Sequence, residues 1–216
     1  MINRRLLAIL GSGGHASSVA DAAISAGFRI VGFLGSPASQ SNSALAPLID
    51  DISELDLDVV DLCLGVGTNF LRDEMYREVM SAFPAARFPQ VAHSTAWVSP
   101  EASMGAGSVV LAQASIGPKA RMGIGSLLNT GASLDHHSTL GDFASLGPGA
   151  RAGGTVEIGQ RTMVGLQVGI LQGLRVGRDT VIGAQSLVTT DMPQLSVAMG
   201  SPCSVSRTRT SNDPYY

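Results

Sequence analysis

From Val98 to Val188, every sixth residue of the chain is apolar. The column runs Val98, Met104, Val110, Ile116, Met122, Leu128, Leu134, Leu140, Leu146, Ala152, Ile158, Val164, Ile170, Val176, Ile182 and Val188. Its register never slips. A helix repeats its faces near 3.6 residues and a strand near 2, so neither alone sustains an uninterrupted six. A hexapeptide period marks a parallel β-helix: three hexads close one triangular coil of about eighteen residues, with a column residue pointing inward from each face. Glycine follows the column at 105, 117, 123, 141, 147, 153, 159, 165, 177 and 183. There it is expected to supply the backbone freedom of a turn. Four places after the column the chain is mostly small (Ala102, Ser108, Ala114, Ala120, Ser126, Ala132, Ser138, Ala144, Ala150), which suits a narrow interior. A Gly/Ala-rich low-complexity tract would not hold branched apolar residues in phase this long.

Composition narrows the function classes. The 216 residues are 14% charged with a formal net charge of −3, and no block of Lys or Arg forms a basic stripe, which argues against nucleic acid. No apolar run approaches the ~20 residues of a membrane span, and the first residues lack a signal-peptide layout. Two separate thiols, Cys63 and Cys203, fit a reducing cytosol better than a disulfide framework, so a cytoplasmic location is expected.

Ahead of the repeat, residues 1–92 read as a small α/β domain, a Rossmann-like parallel sheet, with 93–216 as the β-helix and a mobile polar tail. Apolar runs at 5–10, 29–34 and 59–64 are expected strands, with a further short strand over 86–91. Helices are expected from Ser17 to Ile24, closed by Gly27, and over Phe70–Phe83, with Phe70, Met75, Val79 and Met80 as core positions. The Ser/Pro/Asn-rich stretch from Gly35 to Pro47 reads as a loop. Alternating strands and helices imply a parallel sheet. The first strand ends in Gly11-Ser-Gly13-Gly14-His15-Ala16, a strand–turn–helix fingerprint that can seat a phosphate at a helix N-terminus. A nicotinamide site would place Asp or Glu at the end of the second strand, where the chain has Leu34-Gly35-Ser36, so NAD is disfavoured. A purely structural tight turn remains an alternative.

Taken together, these motifs resemble the PglD/NeuD-like nucleotide-sugar acetyltransferases. The similarity rests on Gly11-Ser-Gly-Gly-His15, Gly67-Thr-Asn69, the hexapeptide repeat and the closing Gly200-Ser-Pro202. It rests most of all on Asn129-Thr-Gly-Ala-Ser-Leu-Asp-His136-His137, followed by Gly141-Asp-Phe143. The resemblance implies that the β-helix is left-handed. It also implies acetyl-CoA bound between subunits of a homotrimer, without a metal, along Ser145, Gly154, Leu166 and Ala184. It further implies a nucleotide-linked amino sugar held by Gly13, Gly14, His15, Gly35, Ser36, Gly67 and Asn69. By the same match His136 is the general base and Asn129 a positioning partner. The chain departs from the family where relatives carry paired Asp at Gly35 and Ser36, a carboxylate at His137, and in some cases a second His at Ser145.

Spacing adds one inference of its own. Eighteen residues beyond His136 is Gly154, so adjacent strands ~4.8 Å apart would stack the glycine over the histidine. A backbone N–H there could stabilise a thioester oxyanion, and one such donor is typically worth ~3–4 kcal/mol. A histidine with pKa near ~6.5 can accept the amine proton, and alignment in a cleft can supply ~7–11 kcal/mol. As strand neighbours, His136 and His137 would face opposite ways. Asp135, Asp142 or a backbone carbonyl could orient the His136 ring. A metal-binding His pair is disfavoured for want of clustered Cys or carboxylates. Leu111, Leu127, Leu166, Leu171 and Leu187 lie outside the column and need cover, which points to association. The leading expectation is sugar N-acetylation by direct transfer. O-acetylation of a sialic-acid-type sugar and an inactive β-helix scaffold are the alternatives.

Overall fold

The structure, a computed structural model, describes residues 5–35 and 45–215. Strands β1 (Leu6–Leu10), β2 (Arg29–Leu34), β3 (Leu48–Ile49) and β4 (Val60–Leu64) form a parallel sheet in the order β3-β2-β1-β4. Helices α1 (Gly14–Ser25) and α2 (Asn69–Ala82) follow β1 and β4. The alternation along β1 decides which layer each residue joins. Leu7 and Ile9 pack with Val19, Ala20 and Ala23 of α1, while Ala8 and Leu10 join Leu62, Leu64 and the α2 side.

Residues 86–91 do not add the expected strand to this sheet. The Leu62 N–H donates to the Arg87 carbonyl at 2.8 Å, but Val91–Ala92 pair with Val109–Val110 and are the first rung of the coil. The coil therefore captures a segment that looked sheet-like in isolation, because its neighbour in space lies eighteen residues ahead.

From there the chain is a left-handed parallel β-helix with three faces. One, here the docked face, carries the rungs Val91–Ala92, Val109–Val110, Leu127–Leu128, Ser145–Leu146, Met163–Val164 and Val181–Ile182. The bare face runs from Trp97–Val98 to Leu187–Val188, and the polar face from Ser103–Met104 to Arg175–Val176. Rungs pair in register eighteen residues apart, as in Leu134 with Ala152. The column residues from Val110 to Val188 fill one continuous core. Buried corner hydroxyls are satisfied within the coil: Ser108, Ser126 and Ser186 donate to the carbonyls of Gly105, Gly123 and Gly183 at 2.7–2.8 Å.

Glycine has a different reason here than turn freedom. The left-handed residue of each corner is three places after the column, at 107, 113, 119 and onward every six to 185. Side-chain-bearing residues such as Gln113, Lys119, His137 and Phe143 occupy many of these positions. The glycines one place after the column do not need positive φ; they sit where the next coil's backbone comes closest. A Cβ on Gly105 would lie 2.5 Å from the carbonyl carbon of Gly123, and one on Gly117 2.7 Å from the amide of His136.

The repeat also outlasts Val188. Met192 bridges to Val176, and Val197–Ala198 pair with Val181–Ile182, so the last coil is two residues short but still closes. Ser196–Met199 then forms a hairpin with Ser204–Thr208. The tail first holds to the coil, where buried Arg209 donates to the Asp179 carbonyl at 2.8 Å, and then reaches the α/β domain, where the Tyr215 hydroxyl accepts from the Asn69 N–H at 2.7 Å. The expected mobile tail is thus pinned at both ends.

Leu111 and Leu127 are covered by the chain's own α/β domain, in one cluster with α1 and Cys63. Trp97 (65% exposed), Leu166, Leu171 and Leu187 keep no such cover.

Candidate functional site

The corner between the bare and polar faces holds His136. Here Asp135 to Ser138 turn the chain, so His136 and His137 are corner residues rather than strand neighbours. His137 adopts φ 58°, which brings the two rings together instead of pointing them apart. Their Nδ1 atoms are 3.2 Å apart and the ring planes meet at 83°. Neither nearby carboxylate orients the His136 ring. The Asp135 carboxylate accepts from the His136 backbone N–H at 2.7 Å, and that of Asp142 from the Ile124 N–H at 2.8 Å.

Gly154 lies directly over His136. The Thr155 N–H donates to the His136 carbonyl at 2.9 Å, and the imidazole occupies the space that a side chain at 154 would need. A Cβ on Gly154 would stand 2.3 Å from His136 Cε1 and 2.4 Å from Nε2. The expected stacking therefore holds, and it gives the glycine a clearance role independent of any oxyanion. Both rings are exposed to solvent. Beside them a hollow of about 530 Å³ on the bare face is lined by Trp97, Ser133, Asp135, Arg151, Gly153 and Leu187.

The other expected residues lie elsewhere on the chain. Asn129, Leu166 and Ala184 follow the corner between the docked and bare faces, and Ser145 lies buried on the docked face. Asn129 does not touch His136; its Oδ1 accepts from the Thr130 N–H at 2.8 Å. The first face-to-face corner thus carries the Asn129–Ala184 row, the second carries His136 and Gly154, and the bare face separates them.

Gly13, Gly14 and Gly67 are exposed, and His15 packs 3.7 Å from where a Cβ on Gly67 would be. Burial pushes the His15 imidazole down to about 4, with the Arg72 charge adding to the effect, so it is neutral near pH 7. The Gly-rich turn starts α1 at Gly14, three residues earlier than expected, and among the described residues the N–H groups at Gly13–His15 meet no acceptor, the orphaned donors that can hold a phosphate. Gly35 ends β2 against this turn. A Cβ there would sit 2.2 Å from Ser12 Oγ, so Ser12 fills the place a side chain at 35 would take. Ser36 lies outside the described residues.

Asn69 is not free to hold a ligand. Fully buried, its Nδ2 donates to the carbonyls of Arg161 and Thr162 at 3.2 and 3.0 Å, and its Oδ1 accepts from Arg72 at 2.8 Å. The buried stripe of α2 is polar: Asn69, Arg72 and Asp73, not the apolar positions. Met75, Val79 and Met80 are only partly buried against the sheet. Arg72 donates to the carbonyls of Val66, Gly67, Gly125 and Phe143 at 2.7–3.1 Å, joining the Gly67 loop to two corners of the coil. Asp73 binds Arg161 at 2.7 Å, and Arg161 binds Asp179 in turn. This joint was missed from sequence, although polar residues at i, i+3 and i+4 were its signal. Among the described residues no three metal-binding side chains cluster. Among the described residues no helix is long and apolar enough to cross a membrane.

Residues 6–79 match the family of the PglD N-terminal domain. The acetyltransferase domain of PglB from Neisseria gonorrhoeae FA1090, in complex with acetyl coenzyme A, superposes with a TM-score of 0.87 at 29% identity, covering 94% of this chain and 100% of that one. A mutant of GDP-perosamine N-acetyltransferase from Caulobacter crescentus, in complex with CoA and GDP-perosamine, gives 0.87 at 27% identity, covering 96% and 98%. Galactoside O-acetyltransferase from Lactococcus lactis is 45% identical over 58 residues, 27% of this chain and 28% of that protein. The chain thus spans under a third of the length of the curated relatives it matches. The chain thus carries a PglD N-terminal domain leading into this β-helix, and it is similar to such acetyltransferases over nearly its whole length.

Proposed function

We propose that the chain is an acetyl-CoA-dependent N-acetyltransferase of a nucleotide-linked amino sugar. The observation that carries this is His136, an exposed imidazole seated in the clearance left by Gly154 at the rim of an open hollow. The sugar amine attacks the thioester carbonyl and the C–N bond forms. His136 Nε2 takes the amine proton, the C–S bond breaks, and the proton passes to the coenzyme A thiolate. No acyl-enzyme is needed. The Gly154 N–H has no acceptor among the described residues and suits the developing oxyanion. The open N–H groups at Gly13–His15 suit the nucleotide phosphates. Neutral His15 beside them can accept or donate a hydrogen bond without adding charge.

The site is completed by symmetry. His136 and Gly154 on one corner, and Asn129, Leu166 and Ala184 on another, are half-sites that one chain cannot bring together. A threefold assembly that covers the exposed Trp97 and Leu187 would set one copy's His136 corner against its neighbour's Asn129 corner. Acetyl-CoA would lie in that cleft. Complexes of the Neisseria and Caulobacter proteins with acetyl-CoA, or with CoA and GDP-perosamine, support the donor and acceptor classes. O-acetylation is the second reading, favoured by the segment shared with the galactoside enzyme.

A thiol-release assay with acetyl-CoA and a panel of UDP-, GDP-, CMP- and TDP-linked amino sugars and hydroxyl sugars decides between the two. An amine acceptor should turn over, and His136→Ala should lower kcat at least ~100-fold while acetyl-CoA still binds. Turnover only on hydroxyl sugars, or more than a tenth of wild-type kcat in the variant, overturns the reading. Sedimentation should give a trimer at micromolar concentration; a monomer removes the composite site.

A further inference from the structure

Helix α1 runs down the coil along the corner between the docked and bare faces. At its end the Ser25 hydroxyl accepts from the Ser94 N–H at 3.0 Å. Higher up, Ser17, Ser18 and Asp21 share a hollow of about 350 Å³ with His93, Ala112 and Thr130. Counted from the Val91–Ala92 rung, His93 belongs to the first coil, Ala112 to the second and Thr130 to the third. Asp21 lies four residues above Ser25, about 6 Å along the helix, and a coil rises ~4.8 Å, so its carboxylate stands level with the second coil. Both ionisable groups of the hollow have capacity to spare. His93 Nδ1 accepts from the Thr95 N–H at 3.0 Å, so in the neutral ring the hydrogen is on Nε2. That nitrogen is 3.9 Å from the Asp21 carboxylate, too far for a hydrogen bond, and the Asp21 side chain is 80% exposed.

The other edge of the bare face carries a matching column. Glu101 sits on the first coil and Lys119 directly above it on the second, one coil below His137. Both are exposed, and among the described residues neither side chain makes a hydrogen bond or ion pair. We propose that the hollow receives this edge of a second copy of the chain, with Lys119 of the neighbour on Asp21 and Glu101 of the neighbour on His93 Nε2–H. The proposal rests on the threefold arrangement of the proposed function, in which bare faces turn to the axis. Each docked–bare corner then meets the next copy's bare–polar corner, coil against equal coil. The third coil sets His136 against Asn129. One coil lower Lys119 arrives beside Ala112 and Asp21, and two coils lower Glu101 arrives beside His93. The opposite order of charge would put like against like. Such rim pairs set register more than affinity. They tie the α/β domain of one copy to the coil of the next, and so fix the height of the N–H groups at Gly13–His15 against the neighbour's His136.

Lys119 is the only lysine in the sequence, which makes a carbodiimide decisive, since it joins an amine to a carboxylate in contact with it. In a mixture of ¹⁵N-labelled and unlabelled protein, mass mapping should find Lys119 joined to Asp21 with one peptide heavy and the other light. Lys119→Arg should lose that link and still assemble. Trp97, the only tryptophan and 65% exposed in the single chain, reports assembly by a blue shift of its emission. Asp21→Lys and Lys119→Glu should each raise the concentration needed for assembly by about tenfold or more, and the double variant should return to within about threefold of wild type. A trimer in which Lys119 couples to Glu101 of its own chain, or to nothing, overturns the pairing and leaves the composite site. So does a double variant no better than the singles. The link found in a protein that acetylates no nucleotide sugar overturns the proposed activity and leaves the pairing.

Discussion

The corner that carries His136 and the joint that carries Arg72 handle polar groups in opposite ways. At the corner, both imidazoles stand in solvent and every contact comes from the same coil or the next one up. At the joint, a guanidinium is fully buried and shared among carbonyls of the Gly67 loop and two separate coils. Burial lowers Arg72 to about 10, with Tyr215 and Asp73 acting the other way, so it stays charged at neutral pH. Among the described residues no carboxylate forms a salt bridge with Arg72; carbonyl dipoles and the nearby Asp73 hold its charge. The comparison teaches that the proposed chemistry sits on a rigid repeat, while the two domains meet at a desolvated polar joint centred on Arg72.

Breaking the joint should have the largest effect. Arg72→Met leaves four carbonyls and Asn69 without their donor, and should cost about 3–5 kcal/mol in urea unfolding, because partners of a buried charge are orphaned. A cost under 1 kcal/mol would mean that the domains are held by apolar contact alone. At the corner the balance should reverse: Gly154→Ala should displace the imidazole and lower kcat about 100-fold or more, with little loss of stability. Unchanged turnover in that variant would show that the clearance over His136 is irrelevant to the chemistry.

The pH response sharpens the same contrast. His15 titrates near 4 when folded and near 6.5 as a free side chain, so the unfolded state binds more protons between these values. Stability from this group is therefore present above pH 6.5 and is lost as pH falls toward 4. Between pH 7.5 and 5, wild type should lose about 2 kcal/mol more than His15→Gln, measured by urea midpoints. Equal losses would place the imidazole in water. The smallest effect tests the two kinds of glycine. Gly131→Ala meets open space at φ 66° and should cost about 1–2 kcal/mol for the left-handed backbone. Gly105→Ala meets backbone at 2.5 Å and should cost more, read as a larger drop in Tm. The reverse order would restore turn freedom as the reason for the column glycines.

The β-helix was legible because its contacts are periodic: Gly154 over His136 follows from a coil of eighteen residues and needs no knowledge of the rest of the chain. The strands β1, β2 and β4 were legible from apolar runs for the same local reason. What the sequence hid was everything decided by a partner far along the chain. Asn69 looked like a ligand-binding residue after a Gly-rich loop, yet its amide is taken by Arg161 and Thr162, ninety-odd residues on. Leu111 and Leu127 looked like oligomer contacts and are covered by α1 and the sheet. His137 looked like a strand neighbour facing away, until a left-handed corner turned its ring onto His136.

A six-residue period by itself determined the coil, its core and the stacking of residue 154 on 136, because parallel ladders repeat a local rule at fixed spacing. Which face the α/β domain covers, which polar stripe of α2 it buries and how two histidine rings meet were decided only in three dimensions. Those outcomes depend on desolvation and hydrogen-bond partners that no window of sequence contains.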